Sequence, residues 1–194
     1  PNLSTSLNLF SGCIACVMAF EGAYLWVVIW VIIGSIFDFF DGFLARILKA
    51  PSAIGKELDS LADLISFGMA PGLAVFRYLS DNMTGITPID IINPYIPYLA
   101  FLLVIFSALR LAKFNVDERQ TSSFIGLSTP PNALFWISYI YGVSQLNEQG
   151  LVPLLTIPLV LVFSILLVAE IPKFSLKVKG PQFKGNELRY IHYL

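Results

Sequence analysis

Of the chain's 194 residues, 56% are hydrophobic and 13% charged, and the mean hydropathy is +0.75. A soluble domain is about 45–50% apolar and about 25% charged, so this chain cannot cover a water-facing surface. Twelve Lys and Arg against thirteen Asp and Glu leave a net charge of −1, which excludes the basic footprint of a nucleic-acid binder. Disorder, a disulfide scaffold and a soluble enzyme fit as poorly, and an integral membrane protein remains.

A helix that crosses the bilayer needs about 20 mostly apolar residues. Six stretches approach that length: residues 4–20, 24–46, 58–79, 95–114, 131–146 and 151–170. Glu21-Gly22 reads as the first turn, and Pro51-Ser52 interrupts the chain after the second stretch. Asp81, Asn82, Gly85 and Pro88 mark a longer polar connection, residues 121–131 another, and Asn147-Glu148-Gln149-Gly150 a tight hairpin. The expectation is an all-α integral membrane protein: a six-helix transmembrane catalytic domain over residues 1–172, then a basic cytoplasmic tail over 173–194. Nothing basic precedes the first apolar run, so no cleavable signal peptide is expected. The start at Pro1 leaves room for a preceding segment. Cys13 and Cys16 form a C-x-x-C inside an apolar run without a βαβ context, where packing is the better reading.

Six helices place both termini on one side. The loop with Arg46, Lys49 and Lys56, the loop with Arg110, Lys113 and Arg119, and the tail gather eleven of the twelve basic residues there; Arg77 alone lies opposite. The positive-inside rule makes that side cytoplasmic, and the inner membrane is the expected location.

One segment breaks the apolar pattern. Asp38 and Asp41 stand at i, i+3 on the second stretch, and Asp59 and Asp63 at i, i+4 on the third. With a short Pro-containing connection the two helices become antiparallel neighbours, and four carboxylates converge near the cytoplasmic boundary. Four Asp at mid-membrane would cost on the order of 10 kcal/mol before their mutual repulsion. Arg46, Lys49 and Lys56 are too few to offset it, whereas two divalent cations would balance the charge. All-oxygen ligation suits Mg²⁺, Mn²⁺ or Ca²⁺ rather than zinc. Two metals about 3.5–4 Å apart clamp in-line displacement at phosphorus. Helix capping by four such Asp is the weaker explanation.

The pattern D-x2-D-G-x2-A-R-x8-G-x3-D-x3-D runs from Asp38 to Asp63 without a gap. At usages of roughly 6% per specified position its chance occurrence is on the order of 10⁻¹⁰ per starting point. It resembles the signature of the CDP-alcohol phosphotransferases, six-helix membrane enzymes, usually homodimers, that move a phosphatidyl or related group from a CDP-linked donor to an alcohol. The resemblance implies a binuclear metal site of Asp38, Asp41, Asp59 and Asp63, with Asp63 also the base that takes the acceptor's proton. It implies a CDP pocket lined by Gly42, Ala45, Arg46 and Gly55, with Arg46 close to the diphosphate.

Other segments resemble the phosphatidylserine synthase branch: Pro1-Asn2-Leu3 with Asn8, Ser66-Phe67-Gly68-Met69-Ala70-Pro71, Arg110 to Asn115, Phe124-Ile125-Gly126-Leu127, and Glu170 to Ser175. Ser128 departs from the Pro expected after Gly-Leu. The branch implies CDP-diacylglycerol and L-serine as substrates among membrane lipids. Arg110, Lys113 and Asn115 are the acceptor candidates, since serine brings a carboxylate that needs a cation. Arg110 and Lys113, at i, i+3, could be presented by one face. Snorkelling anchors are the competing explanation for these cations. Glycerol 3-phosphate or an inositol phosphate remains an alternative acceptor, and a cation transporter an alternative of another class. Ser60, beside Asp59, is assigned to a different helix face, and no adjacent His suggests a covalent seryl intermediate, so direct attack is expected.

Overall fold

The computed structural model describes residues 2–47, 53–83, 93–116, 126–146 and 151–169. Its regular elements are helices: α1 (Asn2–Phe20), α2 (Tyr24–Ile47), α3 (Ala53–Asp63), a π-helical segment (Leu64–Met69), α4 (Ala70–Asn82), a 3₁₀ segment (Asn93–Ala100), α5 (Phe101–Val116), α6 (Thr129–Ser144) and α7 (Leu151–Val168). Glu21-Gly22 makes the α1–α2 turn as expected. Gly22 has φ +75°, which a residue without Cβ adopts freely, and the Gly22 N–H closes on the Ala19 carbonyl at 3.1 Å.

Among the described residues, five continuous helical spans are long and apolar enough to cross a membrane: Asn2–Phe20, Tyr24–Leu44, Ile54–Asn82, Asn93–Val116 and Leu151–Val168. The sixth expected stretch is α6, whose 16 residues are short for a span. The third span begins four residues before the expected 58, because Ile54 to Glu57 form a polar first turn of α3 that hydropathy passes over. It is continuous through the π segment, which directly follows Asp63. Pro51-Ser52, the 147–150 hairpin and the tail lie outside the described residues.

The bundle inverts the pattern of a soluble protein. Leu3, Phe10, Val17, Phe39, Leu61, Ile105, Leu155 and Ile165 are exposed, whereas Ala15, Ala19, Ala62, Ala70, Ala74, Ala100 and Ala133 are buried. Without a hydrophobic drive between helices in lipid, small side chains let backbones approach and dispersion hold them. α1 packs most extensively on α2 and also reaches α3, the π segment and α4; α5 packs on α7, and α6 on α2 and α4. Larger residues close the far half of the core. Trp136 is fully buried, with Phe135 stacked on Phe163 at 4.3 Å and the Tyr139 hydroxyl 3.0 Å from Thr156 Oγ1. Trp136 is therefore a packing residue, while Trp26 is exposed on the outer surface.

Candidate active site

α1 holds the acidic helices together, since it packs on both α2 and α3. Asp38 from α2 and Asp59 and Asp63 from α3 each present a carboxylate oxygen, and these lie within 4.8 Å of one another. Like charges at 4.8 Å repel by about 3 kcal/mol per pair even at an effective dielectric constant of 20. Such a group needs relief, from a bound cation or from protonation.

Asp41 stands beside this group rather than in it. The three converging oxygens come from Asp38, Asp59 and Asp63, with Asp41 one turn on from Asp38 along α2. Asp41 is buried and accepts a hydrogen bond from the Thr5 hydroxyl at Oδ2, while its buried Oδ1 makes no hydrogen bond. Three convergent carboxylates and an orphaned fourth carboxylate oxygen form an all-oxygen donor set, which fits a hard divalent cation.

Beside the aspartates opens a cavity of about 310 Å³. α3 contributes Lys56, Asp59, Ser60 and Asp63; α5 contributes Arg110, Leu111, Phe114 and Asn115; residues 128–131 at the start of α6 close the third side. Asp59 and Asp63 belong to both the acidic group and the cavity wall. Arg110 is buried, 7% exposed, in a wall that also holds those carboxylates.

One expectation is corrected here. Ser60 shares the cavity with Asp59 and Asp63 instead of facing elsewhere, because it stands at i, i+3 with Asp63 and the lining arc of α3 is wide. Lys113 does not line the cavity. The lining face of α5 runs 110, 111, 114, 115, and at 100° per residue position 113 points well over 90° from its centre. Arg110 and Asn115 are in the wall. Lys56, Ser128 and Thr129 also line the cavity, a placement no local sequence pattern marked. Ser128 extends the backbone into α6 at φ −77°, ψ 149°, so the one departure from the branch pattern borders the cavity.

Of the expected CDP residues, Gly42 follows Asp41 on an exposed turn of α2, and Gly55 is half-buried in the first turn of α3. The side chains of Ala45 and Arg46 lie outside the described residues.

Comparison with known proteins gives the family. The CDP-alcohol phosphatidyltransferase family matches residues 1–177. A CDP-diacylglycerol–serine O-phosphatidyltransferase of Helicobacter pylori is 32% identical over 92% of this chain and 73% of its own length. One of Methanocaldococcus jannaschii is 30% identical over 90% of this chain and 74% of its own. One of Bacillus subtilis is 38% identical over 53% of each. Members of the family use divalent cations, in keeping with the acidic group. The chain belongs to the CDP-alcohol phosphatidyltransferase family.

Proposed function

We propose that this membrane protein transfers the phosphatidyl group of CDP-diacylglycerol to the hydroxyl of L-serine, yielding phosphatidylserine and CMP. One observation carries the reading: the cavity that contains Asp59 and Asp63 also contains the buried Arg110, together with Lys56, Ser60 and Asn115. A small zwitterionic alcohol needs this set, a cation for its carboxylate and polar acceptors for its ammonium, within reach of a phosphoryl-transfer centre. The names of the relatives agree.

Asp38, Asp41, Asp59 and Asp63 would hold two divalent cations, Mg²⁺ or Mn²⁺, which when bound polarise a diphosphate and offset the charge of departing CMP. Asp63 takes the proton of the serine hydroxyl; that oxygen bonds to the phosphorus bearing diacylglycerol, and the bond to the CMP oxygen breaks. Arg110 and Lys56 hold the serine carboxylate, with Asn115 lining the same wall. Gly42, Ala45, Arg46 and Gly55 form the CDP side. Catalysis then rests on positioning and charge stabilisation. The active site and both termini face the cytoplasm across the inner membrane, the acyl chains lie between helices, and the protein works as a homodimer.

The test is CMP release by purified protein in detergent with CDP-diacylglycerol, Mg²⁺ or Mn²⁺, and L-serine, glycerol 3-phosphate or inositol phosphate in turn, with EDTA controls. Release that needs serine and is abolished by EDTA is expected. Release with another acceptor alone would overturn the serine assignment, and no release by folded protein would overturn the enzyme reading.

A further inference from the structure

The inward face of α1 is polar at one end and small at the other: Thr5, Asn8, Ser11 and Gly12 are buried, followed by Ala15 and Ala19. In a membrane helix such polar groups turn inward only toward partners. Two of them reach the aspartates. The Thr5 hydroxyl donates to Asp41 Oδ2, and Asn8 Nδ2 donates to Asp63 Oδ1 at 3.2 Å.

Asn8 is fully buried and clasped from two sides. Its backbone carbonyl accepts from Ser66 Oγ at 3.0 Å, in the π segment that follows Asp63. Its Oδ1 faces α2 at Gly34, where an added Cβ would stand 3.0 Å away. A Cβ at Gly12 would fall 2.3 Å from Ser66 Oγ. Glycine on α1 and on α2 thus lets the helices close until the amide meets the carboxylate.

We propose that Thr5 and Asn8 are positioning residues of the acidic centre. Each engages one oxygen of an aspartate and thereby fixes which oxygen turns to a divalent cation or to the acceptor's proton: Oδ1 of Asp41 and Oδ2 of Asp63. The buried Asp41 Oδ1, without a hydrogen bond, is the oxygen this arrangement leaves over. The inference rests on the acidic group holding divalent cations, as in the function proposed above. Outer partners of this kind hold their ligands' orientation, and their loss typically costs 10- to 100-fold in metal affinity.

The experiment measures Mn²⁺ binding to the purified full chain in detergent, from the electron paramagnetic resonance of free Mn²⁺, alongside serine-dependent CMP release. Thr5→Val keeps the shape and removes the hydroxyl; Asn8→Leu does the same for the amide. Each is expected to weaken Mn²⁺ binding by about 10- to 100-fold. Thr5→Ser, which keeps the hydroxyl, should restore it. Tyr139→Phe, which breaks the remote bond to Thr156, should bind Mn²⁺ as the wild type does.

Wild-type affinity in Thr5→Val and Asn8→Leu would overturn the proposal, as would an impaired Thr5→Ser or an equal loss in Tyr139→Phe. If Asn8→Leu does not fold, the isosteric Thr5→Val decides. Wild-type protein that binds Mn²⁺ but does not use serine sinks the acceptor assignment alone. Wild-type protein that uses serine, with variants that bind normally, sinks this proposal alone.

Discussion

Lys56 Nζ donates to the backbone carbonyl of Asn115 at 2.9 Å, across 59 residues of sequence, and so ties the first turn of α3 to the last of α5. The same asparagine donates from Nδ2 to Ser60 Oγ at 2.9 Å. These two bonds span the wall of the cavity that holds Asp59 and Asp63. Asn115 is therefore a brace as well as a lining residue. Asn115→Ala removes the amide–hydroxyl bond, worth about 1 kcal/mol. It is expected to raise the KM for serine about fivefold while the KM for CDP-diacylglycerol stays near its wild-type value, as initial rates at varied substrate would show.

Arg110 carries more. Its side chain is buried in the wall, whereas Lys113 is not among the residues that line the cavity. Hydrogen bonds to charged groups contribute about 1.5–3 kcal/mol, so Arg110→Gln should raise the KM for serine by about 10- to 150-fold. Lys113→Gln should change it less than about threefold, as surface substitutions usually do. Equal losses in both would mean that the cations act as membrane anchors and not as an acceptor site.

Asp63 belongs to the acidic group, to the cavity wall and to the bond with Asn8. Asp63→Asn keeps the shape but cannot take a proton. General-base catalysis contributes about 10²–10⁴-fold, and kcat is expected to fall by at least that much. CDP-diacylglycerol should still bind, measurable by thermal shift on addition of the lipid. EDTA should silence the wild type, with activity restored by excess Mg²⁺ or Mn²⁺. Wild-type turnover by Asp63→Asn would move the base elsewhere.

Helical spacing made the membrane architecture and the aspartates legible. Apolar runs of bilayer length cannot be hidden in 194 residues, and carboxylates within such runs are too costly to be incidental. What escaped was long-range or angular. Thr5 and Asp41 are separated by 36 residues, and Asn8 and Asp63 by 55, so no local pattern announces their bonds. Ser60 was misjudged because pairwise spacing alone does not show which arc of a helix faces a cavity. The π segment after Asp63 has no sequence mark, yet it sets where Ser66 meets Asn8.

Gly126 shows how the backbone supports the acceptor side. Its φ is +74°, and an added Cβ would stand 2.7 Å from the Ala169 carbonyl oxygen and 3.5 Å from Arg110 Nη1. The next residue ties this segment to α7, with the Leu127 N–H on the Leu166 carbonyl at 3.2 Å. A side chain at such φ costs about 1–2 kcal/mol before the clash with the carbonyl is counted. Gly126→Ala is thus expected to lower the melting temperature by about 5 °C. It should also raise the KM for serine, because the segment must shift against Arg110. Gly142→Ala is the matched control: it lies within α6 and an added Cβ meets nothing within 4 Å. That change should leave KM unaltered and stabilise the helix by up to about 1 kcal/mol. Thermal unfolding of both variants in the same detergent decides the point, and equal stability would mean that the segment relaxes freely and does not brace Arg110.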